Sequence, residues 1–168
     1  MKDLWPNFSL INEEENKAVE ILREQARLLE KKTNKQVKAT FSKLNYSLSP
    51  SVAIIAELAT AMQKQPTYKE TIEPELDGKK DANELYKLEE YKLEIYNDKY
   101  RFRVLILKNR VIFPVYLKID DDIKEELYPG EEKDIEIRNN SDLEECLSGI
   151  FSSNKLKTIV SRMMKDAT

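Results

Sequence analysis

The alternation of apolar residues between positions 85 and 119 constrains the fold more than any other feature of this sequence. Apolar residues occupy every second position before Asn97-Asp98, again up to Lys108, and again after Arg110. Such alternation is typical of strands that bury one face, and the two polar interruptions are typical of turns. The segment therefore predicts a three-stranded antiparallel meander.

Two details of this segment bear on how the sheet is covered. Leu105 and Leu107 make the middle strand apolar on both faces near its end, which predicts a central strand that helices cover on that side. Pro114 falls within the third strand and carries no backbone N–H, which predicts an edge or a bulge there.

Helical patterns lie on both sides of the meander. Residues 13–34 have apolar residues at helical spacing, with Asn12 as the cap and three glutamates in the first turn. Residues 141–166 predict two helices separated by a break, and Ser141 and Glu144 have the spacing of a capping box.

The remaining segments are shorter or less regular. Residues 36–48 alternate like a strand, and a reversal of phase near Ser42-Lys43 predicts a β-bulge or a strand that switches partners. Residues 50–64 predict a helix, with a short strand as the alternative. Residues 65–83 are polar and rich in helix breakers, which predicts a flexible loop, either a lid or a solvated connection. Residues 120–140 predict an irregular acidic segment with a short strand at 135–137.

Together these patterns predict an α+β fold. It consists of an N-terminal helix, an antiparallel meander of about four or five strands with helices packed on one face, and a C-terminal helical pair. A chain of 168 residues fits one domain. We expect an N-terminal arm over residues 1–12 and a single domain over residues 13–168. Trp5 and Phe8 in the arm predict either packing on the domain or a docking peptide.

The residue types that most catalytic sites need are missing. The chain contains no histidine and only three glycines. Histidine is the commonest general acid or base near neutral pH, and phosphate-binding loops need glycine. Cys146 has no partner for an internal disulfide, and its acidic neighbours disfavour a thiolate, which indicates a packing role. We therefore expect a non-enzymatic protein without cofactor or metal, and a carboxylate-based enzyme or a small-ligand-binding protein is an alternative.

The sequence also bears on the compartment. The N-terminal residues do not follow the basic-then-apolar pattern of a secretion signal, and no apolar run approaches the length of a membrane span. A single cysteine fits a reducing compartment. We expect a cytoplasmic protein that does not enter a membrane. The high lysine, glutamate and asparagine content indicates an AT-rich microbial or phage genome.

Charge is distributed unevenly along the chain. Residues 120–145 hold twelve acids and three bases, a net charge of −9, whereas residues 85–119 have a net charge of +4. The acidic segment predicts a solvated loop, a docking surface for a basic protein, or a metal site. Its spacing lacks the alternation and the glycine of a calcium loop. The docking interpretation assigns partner binding to Asp120, Asp121, Asp122, Glu125, Glu126, Glu131 and Glu132.

A basic strand offers a second interpretation. Bases and aromatic residues interleave from Lys99 to Arg103, a pattern that can hold single-stranded nucleic acid. Alternation, however, places Tyr100 and Phe102 towards the core and Glu94 across from Arg101, which favours a structural role. The nucleic-acid interpretation assigns binding to Arg101, Arg103, Lys108 and Arg110.

The sequence thus predicts a non-enzymatic protein that binds another macromolecule, and it favours a protein as the partner. An inhibitor, immunity, antitoxin or phage counter-defence role suits its size, acidity and missing catalytic residue types. A nucleic-acid-binding module is the alternative, which an isoelectric point of about 5.3 disfavours. The oligomeric state is left open, a homodimer included.

Overall fold

The structure, a computed structural model, describes residues 2–9, 13–45 and 80–167. The chain has the predicted α+β fold. Its elements are, in chain order, α1 (Ala18–Lys32), β1 (Lys38–Lys43), a 3-10 helix (Ala82–Tyr86), β2 (Glu89–Tyr96), β3 (Arg101–Asn109), β4 (Val115–Ile119), α2 (Asp121–Leu127), β5 (Ile135–Ile137), α3 (Asn140–Phe151) and α4 (Asn154–Asp166).

The five strands form one antiparallel sheet in the order β1-β2-β3-β4-β5, so each strand pairs with its neighbours in sequence. Paired residues share a face of the sheet. Leu93, Leu105 and Ile119 form one such row across three strands, and all three are buried. This confirms the predicted meander and fixes which face is apolar.

The helices cover that apolar face. Their buried residues join the same hydrophobic core: Leu22 of α1, Ile123 of α2, Leu143 of α3, and Leu156 and Met163 of α4. Each fully buried side chain of this kind contributes roughly 1.5–3 kcal/mol to folding. Burial between one sheet face and one helical layer is therefore the main source of stability, as the predicted packing on one face requires.

A β-bulge changes the phase of β3. Leu93 pairs with Leu105 but the next residue, Glu94, pairs with Arg103, so Val104 is the extra residue. Before the bulge Phe102 faces the helices, and after it Leu105 takes over that side. This explains why the strand reads as apolar on both faces. The bulge predicted near Ser42-Lys43 is wrong, because β1 pairs with β2 in one unbroken register.

The first helix starts later than the sequence predicts. α1 begins at Ala18, and its first turn is held by Asn140, whose Oδ1 accepts from the Lys17 N–H at 3.0 Å. The Asn140 side chain also donates to Glu14 Oε1 at 2.7 Å. The glutamates predicted for the first turn therefore precede the helix, and Glu14 serves as a link to α3. The predicted cap, Asn12, lies outside the described residues.

Pro114 does not mark an edge strand. β4 begins at Val115, directly after the proline, and lies between β3 and β5. The proline precedes the first paired residue, so its missing N–H removes no bond from the sheet. The predicted third strand is accordingly shorter at its start, where Val111 is 60% exposed.

The segment predicted as irregular contains a helix. α2 follows Asp120, whose carboxylate accepts from the backbone N–H groups of Asp122 and Ile123. Acidic residues at a helix start are stabilised by the helix dipole, so part of the acidity has a structural cause. The short strand predicted at Ile135–Ile137 is confirmed.

The predicted C-terminal helical pair is confirmed, with a different cap. α3 is capped by Asn139, whose Oδ1 accepts from the Asp142 N–H at 2.8 Å, and not by Ser141. α4 is capped by Ser153, which accepts from the Leu156 N–H. The capping-box spacing of Ser141 and Glu144 therefore places the cap of α3 two residues too late.

Two predicted segments fall largely outside the described residues. The helix predicted at residues 50–64 lies wholly outside them, and of the loop at 65–83 only residues 80–83 are described, where the 3-10 helix begins. In the arm, residues 2–9 are irregular, and Trp5 and Phe8 are each 78% exposed. Their rings contact each other at 6.1 Å between centroids. Packing of these two side chains on the domain, one of the two interpretations, is therefore wrong.

Candidate functional site

The second face of the sheet is the candidate site, and we call it the open face. The described helices contribute their buried side chains to the opposite face. Strand register assigns the members of the open face in rows. They are Lys38, Thr40 and Ser42 of β1, Glu90, Lys92, Glu94 and Tyr96 of β2, Arg101, Arg103, Ile106 and Lys108 of β3, Tyr116 and Lys118 of β4, and Glu136 of β5.

The open face is basic although the chain is acidic. It carries six cations and three carboxylates, a net charge of +3, whereas the whole chain has a net charge of −3. Lys38, Arg103 and Lys118 are exposed, and none of their side chains makes a hydrogen bond or ion pair with a described residue. These three side chains are therefore available to an anionic group from outside.

Glu94 organises the centre of the open face. Its side chain is only 12% exposed, and its Oε2 lies 3.0 Å from Lys92 Nζ and 3.7 Å from Arg101 Nη1. The predicted contact between Glu94 and Arg101 is present, but it is diagonal. The loop before β3 has four residues rather than two, so Tyr96 pairs with Arg101 and Glu94 pairs with Arg103.

An arginine guanidinium lies over the ring of each of two tyrosines on the open face. The guanidinium of Arg101 lies 5.6 Å from the ring centre of Tyr96, and that of Arg110 lies 5.6 Å from the ring centre of Tyr116. Cation–π contacts of this kind hold both partners in place. Arg110 Nε is buried and has no hydrogen-bond acceptor among the described residues, so its contact with Tyr116 is the interaction that orients it.

The aromatic residues that the sequence singled out are not those of the open face. Phe102 is half-buried and packs against the core, as predicted. Tyr100 lies before β3 and is 45% exposed, so the prediction that it faces the core is wrong. It belongs to the loop because Asn97 Oδ1 accepts from the Lys99 and Tyr100 N–H groups, which closes a four-residue turn.

A depression of about 420 Å³ lies beside the bulge in β3. Arg101, Arg103 and Lys118 line it together with Asp120, the cap of α2, and Asp121, its first residue. β-Bulges re-aim side chains and are common next to binding sites. Here the bulge brings two arginines beside the lysine of β4, an arrangement suited to a carboxylate or phosphate group.

The residues predicted for nucleic-acid binding are only partly brought together. Arg101, Arg103 and Lys108 lie on the open face, and Arg110 follows the end of β3. Lys108 Nζ is held at 2.6 Å by Asp134. Two of the four, Arg101 and Arg103, therefore reach the depression, whereas the other two are engaged elsewhere.

The residues predicted for acidic docking are used within the protein. Lys155 Nζ lies 2.8 Å from Asp120 Oδ1 and 2.5 Å from Asp122 Oδ2. Glu126 accepts from the Asn154 N–H at 3.0 Å, so it supports the start of α4. These contacts give the carboxylates a structural role at the junction of α2 and α4.

The remaining predicted acids do not complete a site. Glu125 accepts from the Gly130 N–H and Glu131 from the Lys133 N–H, so both close local turns. Asp121 and Glu132 are exposed and make no such contact within the described part of the chain. That part also contains no group of three or more side chains arranged to hold a metal ion.

Cys146 is buried beside Tyr128. The Tyr128 hydroxyl donates to Cys146 Sγ at 3.4 Å. Burial raises the pKa of the Cys146 thiol, and Glu145 acts in the same direction. Burial also raises the pKa of Tyr128, which stays protonated. A protonated, buried thiol is a poor nucleophile, in keeping with the predicted packing role.

Sequence reasoning missed several members of the open face. Lys92 and Tyr96 alternate with the inward residues of β2, and Tyr116 and Lys118 alternate with those of β4. The signal was present, because a residue next to a buried strand position must point the other way. The net charge of a sequence segment does not reveal this face, because its cations come from different strands that only the register brings together.

Within the described residues no helix is long and apolar enough to cross a membrane. No protein-family model, curated protein or solved structure compared with the chain matches it.

Proposed function

We propose that this chain is a non-enzymatic binding protein whose open face receives an acidic surface of another protein. The observation that carries the proposal is the charge of that face. Six cations from four adjacent strands face the same way on a chain that is acidic overall. Lys38, Arg103 and Lys118 have no anionic partner among the described residues.

Physical chemistry supports such a role for these side chains. A patch opposite in sign to its partner speeds encounter and sets orientation. Arginine is enriched at protein interfaces, where its planar group can bind a carboxylate through two hydrogen bonds. Arg101 is already oriented by Glu94 and Tyr96, so little side-chain freedom is lost when it binds.

The proposal places the docking surface on the open face and not on the acidic segment that the sequence favours. The acidic segment was expected to bind a basic partner, but Asp120, Asp122 and Glu126 are engaged by α4. Their use inside the protein weakens that version. The functional classes that the sequence favours, an inhibitor, immunity, antitoxin or phage counter-defence protein, are compatible with either surface.

A protein partner is favoured over nucleic acid for two reasons. Nucleic-acid-binding domains are usually basic as a whole, whereas this chain has a net charge of −3 and an isoelectric point of about 5.3. The arm also exposes Trp5 and Phe8, and aromatic residues of this kind are enriched at protein interfaces.

The test is affinity capture from the native host, compared between two matched variants. Arg103→Glu/Lys118→Glu reverses two exposed charges of the open face. Arg23→Glu/Lys31→Glu makes the same change in charge on exposed residues of α1. We expect an acidic protein that the wild type and the α1 variant capture and the open-face variant does not. Affinity for the purified partner should fall more than about tenfold.

Two results would contradict the proposal. A partner retained by the open-face variant but lost from one carrying Glu131→Lys/Glu132→Lys would restore the acidic docking surface. Retention by all variants would place binding on some other part of the chain.

Single-stranded nucleic acid is the second candidate, favoured by one observation. Tyr96 and Tyr116 present rings with arginines on the same sheet face, and sheets that bind single strands combine stacking with cations. Gel shifts with single- and double-stranded probes at several salt concentrations distinguish the candidates. Binding that weakens steeply with salt and is lost in the open-face variant supports nucleic acid. Absence of a shift removes it.

A further inference from the structure

A second candidate site lies on the opposite side of the sheet, between α1 and α4. It is a cleft of about 470 Å³, within the range of roughly 300–1,000 Å³ typical of small-ligand pockets. Ala39, Leu93 and Ile95 of the sheet form its floor. Leu29 of α1 and Val160 of α4 are among the side chains that form its walls.

Few polar residues line the cleft. They are Gln25 and Lys32 of α1 and Lys157 and Ser161 of α4, and none of the described lining residues is acidic. Lys32 and Lys157 are exposed, and neither side chain has an ion pair with a described residue. An apolar interior therefore opens between two uncompensated ammonium groups.

A shallower depression extends this basic rim along α4. It measures about 380 Å³ and shares Lys157 and Ser161 with the cleft. Its other described lining residues are Thr158, Arg162 and Lys165, and Arg162 is ion-paired with Asp166 at 3.1 Å. Lys157 is therefore the cation at the mouth of the cleft that faces both depressions, whereas the apolar lining of the cleft itself is suited to hydrocarbon.

We propose that the cleft between α1 and α4 binds a long-chain carboxylate, with the alkyl chain on the apolar floor and the carboxylate between Lys32 and Lys157. Charge complementarity selects the anion, since both ammonium groups attract a carboxylate, add nothing for a neutral head group and repel a cation. Size selects a small ligand over a protein segment. A stable protein interface buries about 800 Å² on each partner, more than a single cleft of this volume offers.

The proposal is independent of the open face. Leu93 and Ile95 line the cleft, whereas their neighbours Lys92 and Glu94 point to the other side of the sheet. Charge changes on one side leave the lining of the other intact, so each proposal can fail without the other.

The test is titration calorimetry of the full chain with dodecanoate and dodecyltrimethylammonium below their critical micelle concentrations and with dodecanol below its solubility limit. The three probes share an alkyl chain and differ in head-group charge. We expect dodecanoate to bind at one site per chain, dodecanol more weakly, and the cation not at all. Lys32→Gln/Lys157→Gln should weaken dodecanoate about tenfold and leave dodecanol unchanged.

Two variants complete the design. Ser161→Phe, at an exposed position of the rim, should obstruct the cleft and abolish binding of both dodecanoate and dodecanol, with folding checked by circular dichroism. Lys31→Gln changes the charge on the same turn of α1 at a residue outside the cleft and should bind dodecanoate as the wild type does.

Three outcomes overturn the proposal. They are no binding of dodecanoate, equal affinity for dodecanoate and dodecanol, and a loss of affinity as large for Lys31→Gln as for the lysine pair. Sedimentation with anionic vesicles in the absence of dodecanoate binding would also overturn it, because the basic rim would then serve a membrane surface.

Discussion

Lys155 joins three elements through one ammonium group. Its Nζ lies 2.8 Å from Asp120 and 2.5 Å from Asp122 at the start of α2, and 5.5 Å from the centre of the Phe102 ring in β3. We expect Lys155→Met to lower the free energy of unfolding by about 1 kcal/mol. An ion pair within a network contributes more to stability than an isolated ion pair on the surface. Urea denaturation monitored by circular dichroism measures the loss.

The control for Lys155 is two residues away on α4. Lys157 is exposed and has no ion pair with a described residue, so Lys157→Met should change the free energy of unfolding by less than about 0.5 kcal/mol. The hydrogen bonds that Lys155 Nζ donates to Asp120 and Asp122 raise the pKa of Lys155. Its contribution is therefore complete below the pKa of an unfolded lysine, about 10.4, and is lost as the pH rises through the higher folded pKa. Equal losses in the two variants would refute this role.

Cys146 makes stability depend on alkaline pH. Burial raises the pKa of its thiol in the folded chain, so the unfolded chain, with a thiol pKa of about 8.5, releases its proton first. The folded state then binds more protons than the unfolded state, and stability falls with pH by at most about 1.4 kcal/mol per pH unit. We expect the wild type to begin losing stability as the pH rises through the pKa of the unfolded thiol, about 8.5, and Cys146→Ala to lack this fall.

Denaturation curves at several pH values decide this prediction. Tyr128→Phe serves as the comparison, because it keeps the thiol and removes the hydroxyl that donates to it. A Cys146→Ala chain that loses stability as steeply as the wild type over this range would contradict the assignment. The packing role of Cys146 was predictable from its acidic neighbours, but the contact with Tyr128 was not, since 18 positions separate the two.

At the scale of single elements, α3 shows how a capping motif can mislead. Ser141 and Glu144 have capping-box spacing, yet Asn139 caps the helix. Asn139→Ala should lower the free energy of unfolding by about 1 kcal/mol, because the Asp142 N–H loses its acceptor. Ser141→Ala should have an effect below about 0.5 kcal/mol. Thermal unfolding of both variants tests this, and the reverse order of effects would indicate that α3 starts later.

The existence of the strands was more predictable than the face of the sheet on which each of their residues lies. Alternation identified β2, β3 and β4 because each buries one face continuously on the helical layer. The bulge at Val104 reverses the phase within β3, and no local residue type marks it. Unbroken alternation would place Ile106 on the same face as Phe102, whereas Ile106 lies on the open face between Lys92 and Lys118. The aliphatic parts of those lysines are long enough to account for its burial.

Short acidic helices are hard to predict for a related reason. α2 has seven residues, of which Ile123 is buried, too few turns for a helical period to emerge. Its start depends on the Asp120 cap and on Lys155, which comes from a distant part of the chain. The charge of residues 120–145 was visible in the sequence, but its structural use was not.

For the whole molecule, the sheet separates two candidate sites of different predictability. The open face follows from alternation, since Lys92 and Tyr96 had to point away from the core. The cleft does not, because it depends on how far α1 and α4 lie apart over the sheet. That separation is set by packing between residues more than a hundred positions apart, which one sequence does not encode in any local pattern.

Because the sheet separates the two candidate sites, a ligand in the cleft should stabilise the chain whatever the charges on the open face. A ligand that binds only the folded chain stabilises it by about 2.7 kcal/mol at a concentration one hundred times its dissociation constant. Dodecanoate should therefore raise the unfolding temperature of the wild type. It should raise that of Arg103→Glu/Lys118→Glu equally, because those side chains lie across the sheet from the cleft. A much smaller shift in the open-face variant would show that the two faces are coupled through β3, whose Val104 lines both the cleft and the depression beside the bulge.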